Sequence, residues 1–450
     1  MNLNLNRRLM KLSPTRVLLG GYCLIILIGA VLLTLPAASK SGEFTSFTDA
    51  FFTAASATCV TGLVRFDTFS YWSLFGQIVI LLLIQIGGMG FMTITIFLAC
   101  FTGKKIGLTP RFLMQESVSA PQVGGIVRMT RFILLGTLAV ELGGAVLLAL
   151  RFCPELGLGR GLYYAVFHSV SAFCNAGFDL FGFQGEFSSL TGMYDDWYVN
   201  LVIMALIVLG GLGFFVWKDV IDCRGRFLKL RLHSRIVLVT TACLIFGGAA
   251  AIFLLELPAG FEEMTAGDKV LASLFQSVTS RTAGFNTVDL TKLSEGSIFV
   301  MICLMLAGGS TGSTAGGIKT TTLAVLLLSI FSTFRRKRNV EVMGRRLEDG
   351  ITRTASCIFM MYLILSVTAT LIVSSLEGIP VLTAMFETVS AIATVGLTLG
   401  ITPEVGMISK LILAFLMIFG RAGSLTMLLA LSSDRAPVAS KKPLEKIQVG

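Results

Sequence analysis

Charge is what this chain has least of. Asp, Glu, Lys and Arg make up 14% of its 450 residues, and 54% are hydrophobic. A soluble globular protein carries about 25% charged residues, so a water-soluble fold is excluded. Histidine is scarcer still: His168 and His233 are the only two, 65 positions apart and without companion ligands. Packing and surface polarity account for them better than metal binding. The nine cysteines include no CxxC pair and mostly fall inside apolar runs, which removes a zinc site and a disulfide framework. Paired acids, a His–Asp or Ser–Lys constellation and metal ligands are not clustered anywhere, so the chain does not read as an enzyme.

Long apolar runs are abundant, and mean hydropathy is +0.83. Eight segments approach the ~20 residues that a bilayer core requires: 17–35, 71–100, 132–150, 197–217, 236–255, 296–330, 354–376 and 406–431. The first exceeds the usual ~7–15 residues of a signal peptide's apolar core and reads as a membrane helix. The net charge is +10, and 26 of the 36 Lys and Arg lie in 1–16, 103–131, 218–235, 335–353 and 435–446. These alternate with poorly charged connections, so the positive-inside rule predicts a multi-pass protein of the cytoplasmic (inner) membrane with both termini in the cytoplasm. The surplus charge serves orientation and anionic lipid, not nucleic acid.

A short passage occurs four times. It reads Ser56-Ala57-Thr58-Cys59-Val60-Thr61-Gly62-Leu63, Ser171-Ala172-Phe173-Cys174-Asn175-Ala176-Gly177-Phe178, Thr279-Ser280-Arg281-Thr282-Ala283-Gly284-Phe285 and Ser390-Ala391-Ile392-Ala393-Thr394-Val395-Gly396-Leu397. The glycines are 115, 107 and 112 residues apart, and Phe52, Phe167, Phe275 and Phe386 precede them by nine or ten. Each copy follows a stretch too short to span a bilayer: 48–57, 162–173, 268–279 and 381–392. Ser46 or Thr48, Thr265 and Pro380 mark plausible starts. A short helix and a Gly loop between two spanning helices form a re-entrant pore loop, tolerated only where protein or a water-filled cavity surrounds it. The expected fold is an all-α integral membrane protein. Four M1–pore helix–M2 repeats, at 17–102, 129–218, 235–334 and 352–431, surround one pore with pseudo-four-fold symmetry, between an N-terminus at 1–16 and a tail at 432–450.

A dehydrated cation needs oxygen ligands, which potassium channels supply from the carbonyls of TVGYG loops. Thr394-Val395-Gly396 is the first half of that signature. Val60-Thr61-Gly62, Asn175-Ala176-Gly177 and Thr282-Ala283-Gly284 are degenerate versions. Glycine is required where φ is positive or where no side chain fits. Four short helices aiming their C-terminal ends at the axis favour a cation. These twelve residues are the candidate potassium filter.

On these motifs the chain resembles the KtrB-type membrane subunit of the Trk/Ktr/HKT potassium transporter superfamily, over about 17–431. The resemblance implies potassium uptake by the pore subunit of a Ktr-type system. The alternative is a sodium-selective or sodium/potassium-coupled transporter of the same superfamily. Some sodium-favouring plant relatives carry Ser at the first filter position, where this chain has Gly62, so potassium is implied, with sodium left open as a coupling ion. Channel and symport mechanisms both stay open. The resemblance also implies a homodimer and a cytosolic KtrA-like ring of RCK-type subunits that bind the nucleotide, since this chain has no GxGxxG site. The basic loops 103–131 and 335–353 and the tail 432–450 are candidate docking surfaces.

Residues 307–320 break the sixth apolar segment with five Gly and several hydroxyls, which cannot sustain a lipid-facing helix. They resemble the family's intramembrane gating loop, beneath the filter. The candidate gate residues are Gly308, Gly309, Ser310, Thr311, Gly312, Ser313, Thr314, Gly316, Gly317 and Lys319. A P-loop reading of Gly312 to Thr320 fails on the extra Ile318 and on the absence of a preceding strand. Arg421, central in the last apolar run, is costly there and a functional candidate. It resembles the family's arginine that approaches the gating loop, and is expected to donate to loop carbonyls and oppose cation passage. Glu141, mid-helix, is read as a structural partner ahead of an ion-coupling group. Arg281, beside the third loop, is expected to point away from the axis into packing or a salt bridge.

Overall fold

The computed structural model describes residues 14–90, 125–258, 261, 264–337 and 339–423. The N-terminus to residue 13, most of the 103–131 loop and the 432–450 tail lie outside the described residues.

Among the described residues, four long helices are apolar enough to cross a membrane, and each begins one repeat: α1 (Pro14–Thr34), α4 (Ile126–Leu156), α8 (Leu232–Glu256) and α12 (Ile351–Glu377). Large apolar side chains such as Leu24, Leu142, Phe246 and Ile364 stand exposed on them. Such a belt suits hydrocarbon rather than water.

Each long helix is followed by a short one: α2 (Phe47–Thr58), α5 (Leu158–Cys174), α9 (Ala266–Thr279) and α13 (Val381–Ile392). Ser46 caps α2 and Thr265 caps α9 through their hydroxyls, satisfying amides that have no intrahelical partner. Pro380 sits at the N-cap of α13. The second short helix starts four residues earlier than the sequence suggests, because Gly157, at φ +80°, turns the chain directly from α4 into α5.

The second helices are α3 (Leu74–Met89), α6 (Trp197–Leu212), α10 (Glu295–Leu306) and α14 (Met407–Ala422). They are shorter than the apolar runs that encode them. α3, α6 and α14 stop at Gly90, Gly213 and Gly423, with φ of +78°, +91° and +84°, a conformation that side chains resist. Beyond Gly213 the chain bends by 93° into α7 (Phe214–Asp222). The sixth segment breaks as its glycines predict, resuming at α11 (Thr320–Phe334) after the loop 307–319. One small departure from all-α structure lies in the basic 335–353 connection. There β1 (Glu341–Val342) pairs antiparallel with β2 (Arg345–Arg346) across Met343-Gly344, both at positive φ, the two-residue turn that suits strand twist.

The helices close a circle. α3 packs on α2 and on α5, α6 on α5 and α9, α10 on α9 and α13, and α14 on α13 and α2. Each second helix thus joins its own short helix to the next repeat's, and the fourth returns to the first. The phenylalanines Phe52, Phe167, Phe275 and Phe386 are buried, anchoring the short helices in the core. The C-terminal ends of three of the long helices are tied to the second helices of their own repeats. Glu256 accepts from the Ser294 amide and hydroxyl at 2.9 and 2.7 Å, Glu377 from the Gly406 amide at 3.0 Å, and Asp196 from Arg151 at 2.7 Å.

Candidate functional site

The four Gly loops meet at the centre of this circle. Gly62, Gly177, Gly284 and Gly396 all have positive φ, between +70° and +96°. Two residues earlier, Val60, Asn175, Thr282 and Thr394 are also left-handed, between +53° and +69°. Three of those four are β-branched, for which the region is strained by about 1–3 kcal/mol each. Strain at this position in three loops, with an asparagine that tolerates the region in the fourth, marks a conformation that the packing imposes.

The glycines touch in chain order. A Cβ on Gly62 would lie 2.5 Å from the carbonyl oxygen of Ala176, one on Gly177 2.8 Å from that of Ala283, and one on Gly284 2.8 Å from that of Val395. One on Gly396 would collide with the carbonyl of Thr61. The chain of contacts therefore closes on itself, bringing four backbone oxygens together. The third loop, one residue shorter between its Phe and its Gly, still delivers Gly284 to the ring. Thr61, Thr282 and Thr394 keep buried hydroxyls without a protein partner, as does Thr58 one turn away. Buried polar atoms are ordinarily paired; of these, the Thr394 hydroxyl lies against Gly316 of the 307–319 loop.

Hydroxyls four residues after each phenylalanine hold the loops. Ser56 and Ser390 accept from the amides of Gly62 and Gly396, both at 3.1 Å. Ser171 and Thr279 donate to the carbonyls of Phe178 and Phe285, at 2.7 and 2.5 Å. Sequence reasoning passed over these residues, although the fixed Phe-to-hydroxyl spacing was a signal.

The 307–319 loop crosses beside this ring and contacts several repeats. The Ser310 and Thr314 amides donate to Gly211 and Gly210 of α6, at 2.9 and 3.2 Å. The Thr314 hydroxyl reaches the Phe173 carbonyl at 3.1 Å and Asn175 Oδ1 at 3.0 Å. The backbones of Gly316 and Gly317 lie against Thr394 and Ala393, with no room for a side chain at Gly316. Within the loop, Ser310 meets Thr320 at 3.0 Å, Thr311 meets Thr321 at 3.2 Å, and Ser313 donates to the Ser310 carbonyl at 2.7 Å. The Phe214 amide, just past the bend, donates to Gly312 at 2.9 Å.

Two cations grip consecutive loop carbonyls. Arg421 donates to Thr314, and Lys319 Nζ to Ala315 at 2.8 Å and Gly316 at 3.4 Å. Arg421 also donates to Gly87 and, at 3.0 Å, to Gly88. Those carbonyls end α3, where a helix lacks donors and favours positive charge. One guanidinium thus joins the last helix, the loop and the first repeat.

Arg281 turns toward the loop too. It is buried, makes no salt bridge among the described residues, and donates to Gly308 at 3.3 Å. Glu141 has structural partners: Gln85 donates to both its oxygens at 3.1 and 3.0 Å, and the Cys174 thiol lies 3.7 Å away. His168 is buried among Phe152, Phe167 and Phe181. No group of three potential metal ligands occurs among the described residues.

A circle of helices around converging glycine loops, with a loop held beside them, defines a multi-pass helical membrane transporter rather than an enzyme. The chain belongs to the TrkH family: the model described as "TrkH: Cation transport protein" matches residues 24–437. The resemblance to KtrB-type subunits holds along most of the chain. It is 40% identical over 418 residues to Ktr system potassium uptake protein B of Bacillus subtilis, covering 92% of each chain. It is 39% identical over 448 residues to the potassium/sodium uptake protein NtpJ of Enterococcus hirae, covering 98% of each. Among solved structures, the potassium transporter TrkH from Vibrio parahaemolyticus superposes with a TM-score of 0.71 at 21% identity, covering 92% of this chain and 84% of that one. This last likeness shows a shared fold.

Proposed function

We propose that this chain takes up potassium across the cytoplasmic membrane, as the pore subunit of a Ktr-type system, through the ring of Gly62, Gly177, Gly284 and Gly396. The observation that carries the reading is the closure of that ring. The backbone oxygens of Thr61, Ala176, Ala283 and Val395 converge there, and carbonyl rings are what replaces the water of a dehydrated potassium ion. α2, α5, α9 and α13 end within five residues of the four glycines, so their partially negative ends favour a cation at the centre.

The 307–319 loop is the gate. Its hold depends on Arg421 and Lys319, whose charges also oppose a cation in the path below the ring. Both termini and the basic connections face the cytoplasm, where two copies of the chain assemble with a nucleotide-binding ring. The 335–353 hairpin is one docking surface; the 103–131 loop and the tail are the others. Relatives named as Ktr system potassium uptake proteins support a place for this chain in a multi-subunit potassium uptake system.

Rubidium uptake into proteoliposomes holding this chain, with sodium as competitor, tests it. Uptake that potassium suppresses and sodium does not is the expected result. Equal suppression by sodium contradicts the potassium assignment. No flux, even with the nucleotide-binding ring added, contradicts the pore assignment.

A further inference from the structure

The residue after each buried phenylalanine occupies one equivalent position in the four repeats: Thr53, His168, Gln276 and Glu387. All four are buried, yet they do different things. Glu387 accepts three hydrogen bonds, all from the chain just beyond Gly396: from the Leu399 amide at 3.0 Å, from the Thr398 hydroxyl, and from the Thr402 hydroxyl at 2.7 Å. His168 accepts from the Leu180 amide at 3.2 Å through Nε2, while its Nδ1 faces the Tyr164 carbonyl at 2.7 Å. A ring that donates at Nδ1 and accepts at Nε2 is a neutral imidazole. Leu180 and Leu399 each stand three residues past the glycine of their loop. The same helix position therefore pins the same loop position in repeats 2 and 4, which lie opposite one another. Thr53 bonds only within its own helix, to Asp49 at 3.0 Å, and neither polar atom of the Gln276 side chain has a partner.

The outer arms of repeats 1 to 3 are also tied to one another. The Phe187 amide donates to Asp67 at 3.3 Å, the Asn286 amide to Ser189 at 3.2 Å, and the Leu190 amide to the Asn286 carbonyl at 3.0 Å. Among the described residues no hydrogen bond joins 397–405 to those arms. The fourth arm therefore depends on Glu387, a carboxylate buried without a cationic partner and satisfied by that arm alone.

We infer that Glu387, and to a smaller degree His168, are positioning residues that set the ion preference of the ring by fixing the chain immediately outside it. The inference rests on the reading of the ring as a filter. Selection between two cations of equal charge depends on how the oxygens are held. A loop released at its outer end lets its carbonyls follow either ion.

Competition between potassium and sodium for binding to the purified full-length chain, read by calorimetry, is the test. Glu387→Ala, which removes all three acceptor contacts, is expected to lower the potassium-over-sodium preference about tenfold, the scale of one hydrogen bond to a charged group. Glu387→Gln, which keeps one acceptor oxygen for Leu399 and Thr398 and whose amide can donate to the Thr402 hydroxyl, retains most of it. His168→Leu lowers it less than Glu387→Ala, because the second arm has other ties. If Glu387→Ala does not fold, Thr402→Val removes one donor and reports the same loss in smaller measure. An unchanged preference in Glu387→Ala, or in Thr402→Val should it stand in, overturns the inference. Gly396→Ala separates the two levels. If it alters the preference while the Glu387 variants do not, only this inference fails. If Gly396→Ala leaves it unaltered, the filter reading fails.

Discussion

Lys410 of α14 and Asp49 of α2 form an ion pair of 2.6 Å, with side chains only 11% and 16% exposed. It joins the last helix to the first short helix and so fastens the circle where the chain has no covalent link. Arg65 approaches the same carboxylate at 3.9 Å.

Truncating one member of a largely buried pair strands the other charge, at a cost of about 3 kcal/mol. Lys410→Met should therefore lower the thermal midpoint of the purified protein sharply. The double variant Lys410→Met/Asp49→Asn should recover part of the loss, since Arg65, about a third exposed, is then the one charge of the cluster left without Asp49. Additive losses in a double-mutant cycle would show that the pair does not close the ring.

Arg421 holds the loop at Thr314 and the first repeat at Gly87 and Gly88. Arg421→Gln is expected to raise the rubidium uptake rate about tenfold, equivalent to about 1.4 kcal/mol of barrier, with the order of ion preference kept. Lys319→Met and Arg281→Met, which release Ala315 and Gly308, should raise it less. A fall in uptake in all three at normal protein levels would remove the loop from its gating role. Initial rates in proteoliposomes decide the matter.

Gly87, Gly210 and Gly420 hold equivalent places on α3, α6 and α14, where a Cβ would strike the carbonyls of Thr58, Phe173 and Ile392 at the ends of the short helices. Alanine at any of them is expected to destabilise by about 1–3 kcal/mol, seen as an earlier thermal midpoint. Gly143 on α4 has nothing within 4 Å of its Cβ position. Gly143→Ala should leave the midpoint unchanged or raised, because alanine favours the helix by up to about 1 kcal/mol.

Much of this was legible in the sequence, for reasons visible in single residues. The Gly loops repeat at near-constant spacing because each closes one quarter of a ring. The glycines of 307–317 announce a broken helix because propensity there is local. Arg421 announces itself because a charge amid apolar residues is costly. Its partnership with Gly87 and Gly88 was hidden, since backbone carbonyls carry no side-chain signature and lie over 300 positions away. The 93° turn at Gly213 was hidden for another reason: Gly210, Gly211 and Gly213 within an apolar run read equally well as close helix packing. Glu387, a lone charge in an apolar short helix, was as legible as Arg421, but its role was hidden because its partners are a backbone amide and two ordinary threonines, 11 to 15 residues on. The hairpin at 341–346 has charged, short strands that no alternation pattern marks.

Anomalous scattering of rubidium in crystals of the full chain shows whether the four loops make one cation site. A rubidium peak is expected at the ring, among the carbonyl oxygens of Thr61, Ala176, Ala283 and Val395. A ring without rubidium in crystals soaked to saturation, or rubidium bound only elsewhere, would contradict such a site.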